Sequence, residues 1–309
     1  MKNKIDRRSF IKGSAALGVL TAAGSSLLSQ ILTSETVPGA IDISVVQGND
    51  YFLNAVKAVD LLGGMNKYVH KGSTVGMLIN SVWDHPGTYT SPDVSLAVVK
   101  MCLDSGAKAI YSIEGAPSAY WKRSKLCDKF KEEIKNLKND DEKKKVKIEK
   151  GKSLKQAEIS KALLECDVLI NVPIVKHHQG TNFTATLKNM MGACNHSTNR
   201  FFHQGSGAKG GYDDVPFLSQ CIADVNLVRQ PDLYLVDATE FVTTGGPAGP
   251  GDLKKPGKVI AAKNRVSVDA YCSTLLGYRP EDVLMIKYAY DHGMGEINLA
   301  KLNIKEVKA

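Results

Sequence analysis

The sequence predicts an α/β protein, with a largely parallel sheet flanked by helices and one charged helical insertion. Three observations predict it. Short apolar runs of strand length alternate with segments whose apolar residues recur at helical spacing. Glycine and proline punctuate the junctions between them. The composition, 43% hydrophobic and 23% charged, is that of a globular chain and excludes collagen-like, wholly disordered and multi-span membrane classes.

In chain order, Ile41–Gln47 alternates as a strand does. Residues 51–62 place Phe52, Val56, Val59 and Leu62 at helical spacing, and Gly63-Gly64 stops them. Thr74–Ile79 is a compact apolar run, read as a buried strand. Ser91-Pro92 opens a helix that runs to about Leu103, with proline at its first position and Gly106 beyond its end. Lys108–Ile113 is the next strand. Later strands are expected at 167–172, 233–236 and 258–262, and helices at 154–165, 181–191, 214–228, 266–276 and 280–291. The domain spans 41–304.

The net charge of +8 suggests an acidic partner until it is located. Residues 1–12 carry a net +4 and residues 121–150 a net +5, so the remainder is close to neutral at −1. In 121–150, lysines and acids are mixed, only Arg123 is arginine, and aromatic interleaving is sparse. That pattern reads as a solvated helical insertion and not as a nucleic-acid surface. Residues 1–34 read as a twin-arginine signal and linker. Arg7-Arg8 is followed by Phe10, Ile11 and Lys12, then by a weakly apolar stretch rich in Gly, Ser and Thr. The expectation is export by the twin-arginine translocation machinery to a periplasmic or extracytoplasmic location, with no stable membrane span after processing. The six cysteines stand at least 25 residues apart, so no local iron–sulfur cysteine motif or structural zinc spacing is present. Buried free thiols are expected.

Chemistry-bearing residues concentrate in Asn171–Gly192. The strand at 167–172 delivers Lys176, His177 and His178 to its carboxyl end, where open α/β sheets place ligands. Gly180-Thr181 is expected to start a helix whose first N–H groups attract an anion, with Thr181 and Lys188 near one face and Thr184 beside them. Lys176, Thr181 and Asn189 are the candidate residues for holding a cofactor. His178, Lys188 and His203 are the candidate catalytic residues, His203 on a glycine-rich loop that returns over the site. His178, His196 and His203 are a candidate metal set, or one of them moves a proton. Asp84-His85 is either an oriented acid/base pair or a turn before Pro86-Gly87. Thr243–Gly251 lacks a phosphate-loop or dinucleotide pattern and reads as a loop bordering a site.

The ordered series Leu62-Gly63-Gly64, the strand ending at Asn80, Val168–Pro173 running into Lys176 and His178, Thr186–Asn189 with Gly192, Val236-Asp237 with the later Gly-Pro run, Val266–Ala270, Leu276-Gly277 and Gly293–Glu296 resembles the bacterial and archaeal family of the domain of unknown function numbered 362. The resemblance covers about residues 41–304. Leu78-Ile79 replaces a Lys-Pro pair usual before Asn80, and the ferredoxin-like cysteines of many relatives are absent. His178, Lys188 and His203 are also similar in order to residues of lactate racemase-type enzymes, which use a nickel pincer nucleotide. That likeness implies a cofactor held by Lys188, with histidines ligating metal or shuttling a proton. The cofactor expected is thus a metal ion or a metal-containing nucleotide. The function expected is a metal- or cofactor-dependent enzyme or redox accessory acting on a small anionic substrate, the alternative being a non-catalytic binding protein for an anionic ligand or metal.

Overall fold

The computed structural model describes residues 39–204 and 214–309. The signal segment 1–34 lies outside the described residues, and Ile41–Ala309 packs as one unit. Eight strands form the main sheet: β1 (Ile43–Gln47), β2 (Thr74–Ile79), β3 (Ala109–Ser112), β4 (Lys138–Asn139), β5 (Val168–Val172), β6 (Leu233–Ala238), β7 (Lys258–Ala262) and β8 (Ile304–Lys308). Their order is β8-β1-β7-β6-β5-β2-β3-β4. All pairings are parallel except those of β7, which runs against both β1 and β6.

The apolar runs are continuous because both faces of the sheet are covered. Side chains alternate across a strand, so Val75, Met77 and Ile79 of β2 fall in one core and Leu78 in the other. The first core is sealed by helices Tyr51–Leu61 and Pro92–Asp104, the second by Val215–Val225, Arg265–Leu275 and Leu284–Asp291. Among the described residues no helix is long and apolar enough to cross a membrane. All six cysteines are free thiols, and five are buried.

Four segments differ from expectation, each for a local reason. Residues 154–165 divide into a strand, Gln156–Ser160, and a helix, Lys161–Glu165; Ser160 caps that helix by accepting from Leu163 N. Segment 121–150 is only partly helical. It holds the helix Lys131–Lys135, the edge strand β4, and a strand Lys143–Lys147 that pairs with Gln156–Ser160. Trp121 and Phe130 anchor it in the core. Residues 195–203 are not an irregular loop, since His196–Gln204 is a helix. Asn195 Oδ1 accepts from Thr198 N at its start, and Thr198 and Phe202 face inward four residues apart.

The fourth difference bears on function. Gly180-Thr181 starts no helix; it lies in the turn of a β-hairpin, Lys176–His178 against Asn182–Thr184, closed by Asn182 at φ 61°. The helix begins only at Thr186. Its first N–H groups are already taken, for Asp269 accepts from Thr186 N (2.8 Å), Leu187 N (2.9 Å) and Thr186 Oγ1 (2.6 Å). The anion at this helix start is the protein's own carboxylate, supplied by helix Arg265–Leu275. Replacing Asp269 with Ala leaves those buried donors unpaired and is expected to lower stability by about 2–4 kcal/mol in urea unfolding. A loss below about 1 kcal/mol would show that the contact does not fix the segment carrying Lys188.

Candidate functional site

The sheet's connections reverse direction between β2 and β5: β3 lies on one side of that pair and β6 on the other. In open α/β sheets a ligand site is expected at the carboxyl ends flanking such a reversal. A cavity of about 640 Å³ opens there, lined by Asn80 after β2, Glu114 after β3 and Lys176 and His178 after β5.

The hairpin explains which residues face the cavity. Lys176 is paired with Thr184 across the ladder, and His178 stands two residues on, so all three share one face. His177 points the other way and accepts from Gly246 N through Nδ1 (3.2 Å), while Gln179 N donates to Gly246 O (3.1 Å). A Cβ on Gly246 would come within 1.8 Å of His177 O, so this approach requires glycine. The hold brings the Thr243–Gly251 loop to the cavity, where Pro247 joins the lining.

The site concentrates charge in a low-dielectric place. Lys176 is 1% exposed and donates to Thr88 O (2.5 Å) and Asn80 Oδ1 (3.4 Å). Burial, reinforced by repulsion from Lys188 and opposed by Glu114, pushes its ammonium down to about 7. Glu114 moves the opposite way: burial pushes its carboxyl up to about 7 against the pull of Lys176 and Lys143. Its carboxylate rests against Gly192, where a Cβ would approach to 2.5 Å. Lys188 is buried within the same lining, its Nζ 3.3 Å from Met191 Sδ.

His178 is held neutral, since burial and then the two lysines push it down to about 2. Its Nδ1 accepts from Gly180 N (2.9 Å). A backbone N–H can only donate, so the ring proton sits on Nε2. A metal-ligating histidine normally does the reverse, donating its second ring nitrogen to an acceptor. His178 therefore presents an N–H, not a lone pair, at Nε2.

Asn189 lines the cavity but is tied into the scaffold. It donates to Leu78 O (3.0 Å) and Asn171 Oδ1 (2.7 Å) and accepts from Asn80 Nδ2 (3.2 Å). Thr181 is outside the lining, its hydroxyl donating to Phe183 O (3.0 Å). His203 lines the cavity as an exposed residue while His178 is buried within it, whereas His196 is exposed, beside Arg200 and off the cavity. Among the described residues no three His, Cys, Asp or Glu side chains gather to hold a metal ion, so His178, His196 and His203 do not assemble as a set. His85 opens a turn, its O accepting from Thr88 N and Oγ1, and Asp84 just before it pairs with Arg123 (2.7 Å). Burial pushes the thiols of Cys194 and Cys221 up to about 12, opposite to a redox-active thiol.

Sequence reasoning missed Glu114, Trp83 and Asn199. Glu114 follows the strand Ala109–Ser112, and the same strand-end rule that selected Lys176 would have found it. Trp83 follows β2 in the same way, so the strand-end rule reaches its segment too, whereas Asn199 carries no such signal and is brought to the cavity by the helix His196–Gln204.

Residues 75–274 match the family described as Domain of unknown function (DUF362). Residues 4–24 match the twin-arginine translocation pathway signal sequence, which hands a protein to that machinery for export across the cytoplasmic membrane. No curated protein matches the chain. A crystal structure of a protein from Thermotoga maritima is similar at 12% identity and a TM-score of 0.37, over 62% of this chain and 51% of that one. The chain thus spans about half the length of that protein.

The tautomer is directly observable. Nitrogen-15 shifts of His178 are expected to report a neutral ring protonated on Nε2 throughout pH 5–8; a proton on Nδ1, or titration near pH 6.5, would contradict the site geometry.

Proposed function

The chain belongs to the DUF362 family, and from its cavity we propose an exported enzyme of the periplasmic or extracytoplasmic space that binds an organic anion and moves a proton on it. The observation carrying this reading is the juxtaposition of Lys176 and Glu114, both brought to about 7 at the same cavity. Groups poised there exchange protons with least penalty at neutral pH. Burying an ammonium opposes stability, so keeping Lys176 inside fits a functional demand better than a structural one.

The division of labour follows from the side chains. Lys188 supplies positive charge and His178 an Nε2–H donor to the anionic group. The carbon–hydrogen bond beside the ligand's carbonyl or carboxylate breaks, its proton passing to the neutral amine of Lys176 or the carboxylate of Glu114. The electron pair moves into the adjoining carbonyl, whose oxygen Lys188 and His178 hold. A three-histidine metal centre does not fit these residues, because His178 offers an N–H and His196 stands apart; no step is assigned to a metal or a metal-containing nucleotide.

The second reading, a non-catalytic binding protein for an anion, draws on the same two lysines. Proton exchange separates the two. With a panel of short carboxylates and oxo-acids in deuterium oxide, proton NMR is expected to show loss of the signal beside the carboxyl group, faster with protein than without. Binding without exchange would favour the binding protein. Lys188→Met is expected to weaken binding of those anions at least tenfold, about 1.4 kcal/mol, while leaving the fold intact. An unchanged affinity in that variant would contradict the assignment of Lys188.

A further inference from the structure

We infer that the anion this cavity takes carries a planar aromatic ring, and that Trp83 is the platform on which the ring stacks. This rests on the anion-binding reading above and adds the class of ligand. The cavity is divided by chemistry. Its inner end holds Lys176, His178, Lys188 and Thr184, and its mouth is formed by Val82, Trp83 and Pro247. Val82 is 51% exposed and Trp83 36%, which leaves apolar surface in water beside a charged interior.

Three further observations support the division. The volume, about 640 Å³, lies in the range of about 300–1,000 Å³ typical of drug-sized ligands, far more than a bare inorganic anion or acetate fills. Thr184 is 2% exposed and lines the cavity, yet its Oγ1 has no hydrogen-bond partner in the protein; a ligand oxygen would satisfy it. Lys176 Nζ stands 5.7 Å from the Trp83 ring centroid, so a carboxylate at the lysine and an attached ring at the indole are spanned by one small molecule.

The backbone at Trp83 is also held in place before any ligand arrives. Arg123 donates to Trp83 O (3.0 Å) and to Asp84 Oδ1 (2.7 Å), and its guanidinium lies 4.0 Å over the Tyr89 ring. The single arginine of the lysine-rich segment thus braces the lip of the cavity. These contacts hold the backbone that carries the indole, so less of the lip has to be ordered when a planar ring stacks there.

Calorimetric titration of the protein with acetate and with benzoate tests this. Benzoate is expected to bind at least tenfold more tightly and to quench the fluorescence of Trp83, leaving the buried Trp121 unaffected. In Trp83→Ala the benzoate affinity is expected to fall at least tenfold while acetate affinity is unchanged, and Trp83→Phe is expected to keep most of the preference. Equal affinity for the two anions, or an equal loss of both in Trp83→Ala, overturns the aromatic assignment alone. If neither anion binds the unaltered protein, the anion-binding reading falls with it.

Discussion

Burial of the Lys176 amine beside a second lysine is the constraint on which the site depends. An ammonium with 1% exposure gives up its hydration, and the Thr88 carbonyl and Asn80 amide oxygen replace only part of it. The group is left divided between charged and neutral forms near pH 7, and Glu114 is driven to the same region from below. His178, facing the same field, stays neutral and keeps its proton on Nε2. Each of the three side chains is shifted first by its own burial, and the lysines then pull Glu114 down and push His178 further down.

The fold supports that burial with carboxylates and amides of its own. Asp269 fixes the start of the segment bearing Lys188, and the Asn80–Asn189–Asn171 chain ties the ends of β2 and β5 to it. His177 draws the glycine-rich loop against the hairpin's outer face. These contacts come from elements far apart in sequence, so the cavity's shape is a property of the whole sheet edge and not of the Lys176–Lys188 stretch.

The strands of the sheet were legible because period-two and continuous apolar runs follow from burial on one or both faces, as in Thr74–Ile79. Helices 215–225 and 265–275 were legible for the matching reason at helical spacing. The hairpin after β5 was not. Its three-residue strands are too short for periodicity to register, and Asn182 adopts a left-handed conformation that only its neighbours explain. That single misreading turned Thr181 into an anion binder and put a helix start where a turn stands. Lys176, His178 and Lys188 still fell in the cavity, because the carboxyl end of a buried strand is a topological location that a local error does not move. Glu114 was overlooked for want of a neighbouring cluster, although β3 ends beside β2.

Anion binding at this cavity is expected to couple to protonation of Lys176 and Glu114. An anion favours the charged lysine and the uncharged carboxyl, raising both pKa values, so binding near pH 7 draws protons from solution. Affinity accordingly rises as pH falls from 8 to 6. Calorimetry of benzoate binding at pH 7, in buffers of different ionisation enthalpy, measures that uptake directly. A net uptake of less than one proton per anion bound is expected, so that a share of the complexes keeps Lys176 neutral or Glu114 ionised as the base. Binding with no proton exchange, or with proton release, would contradict it.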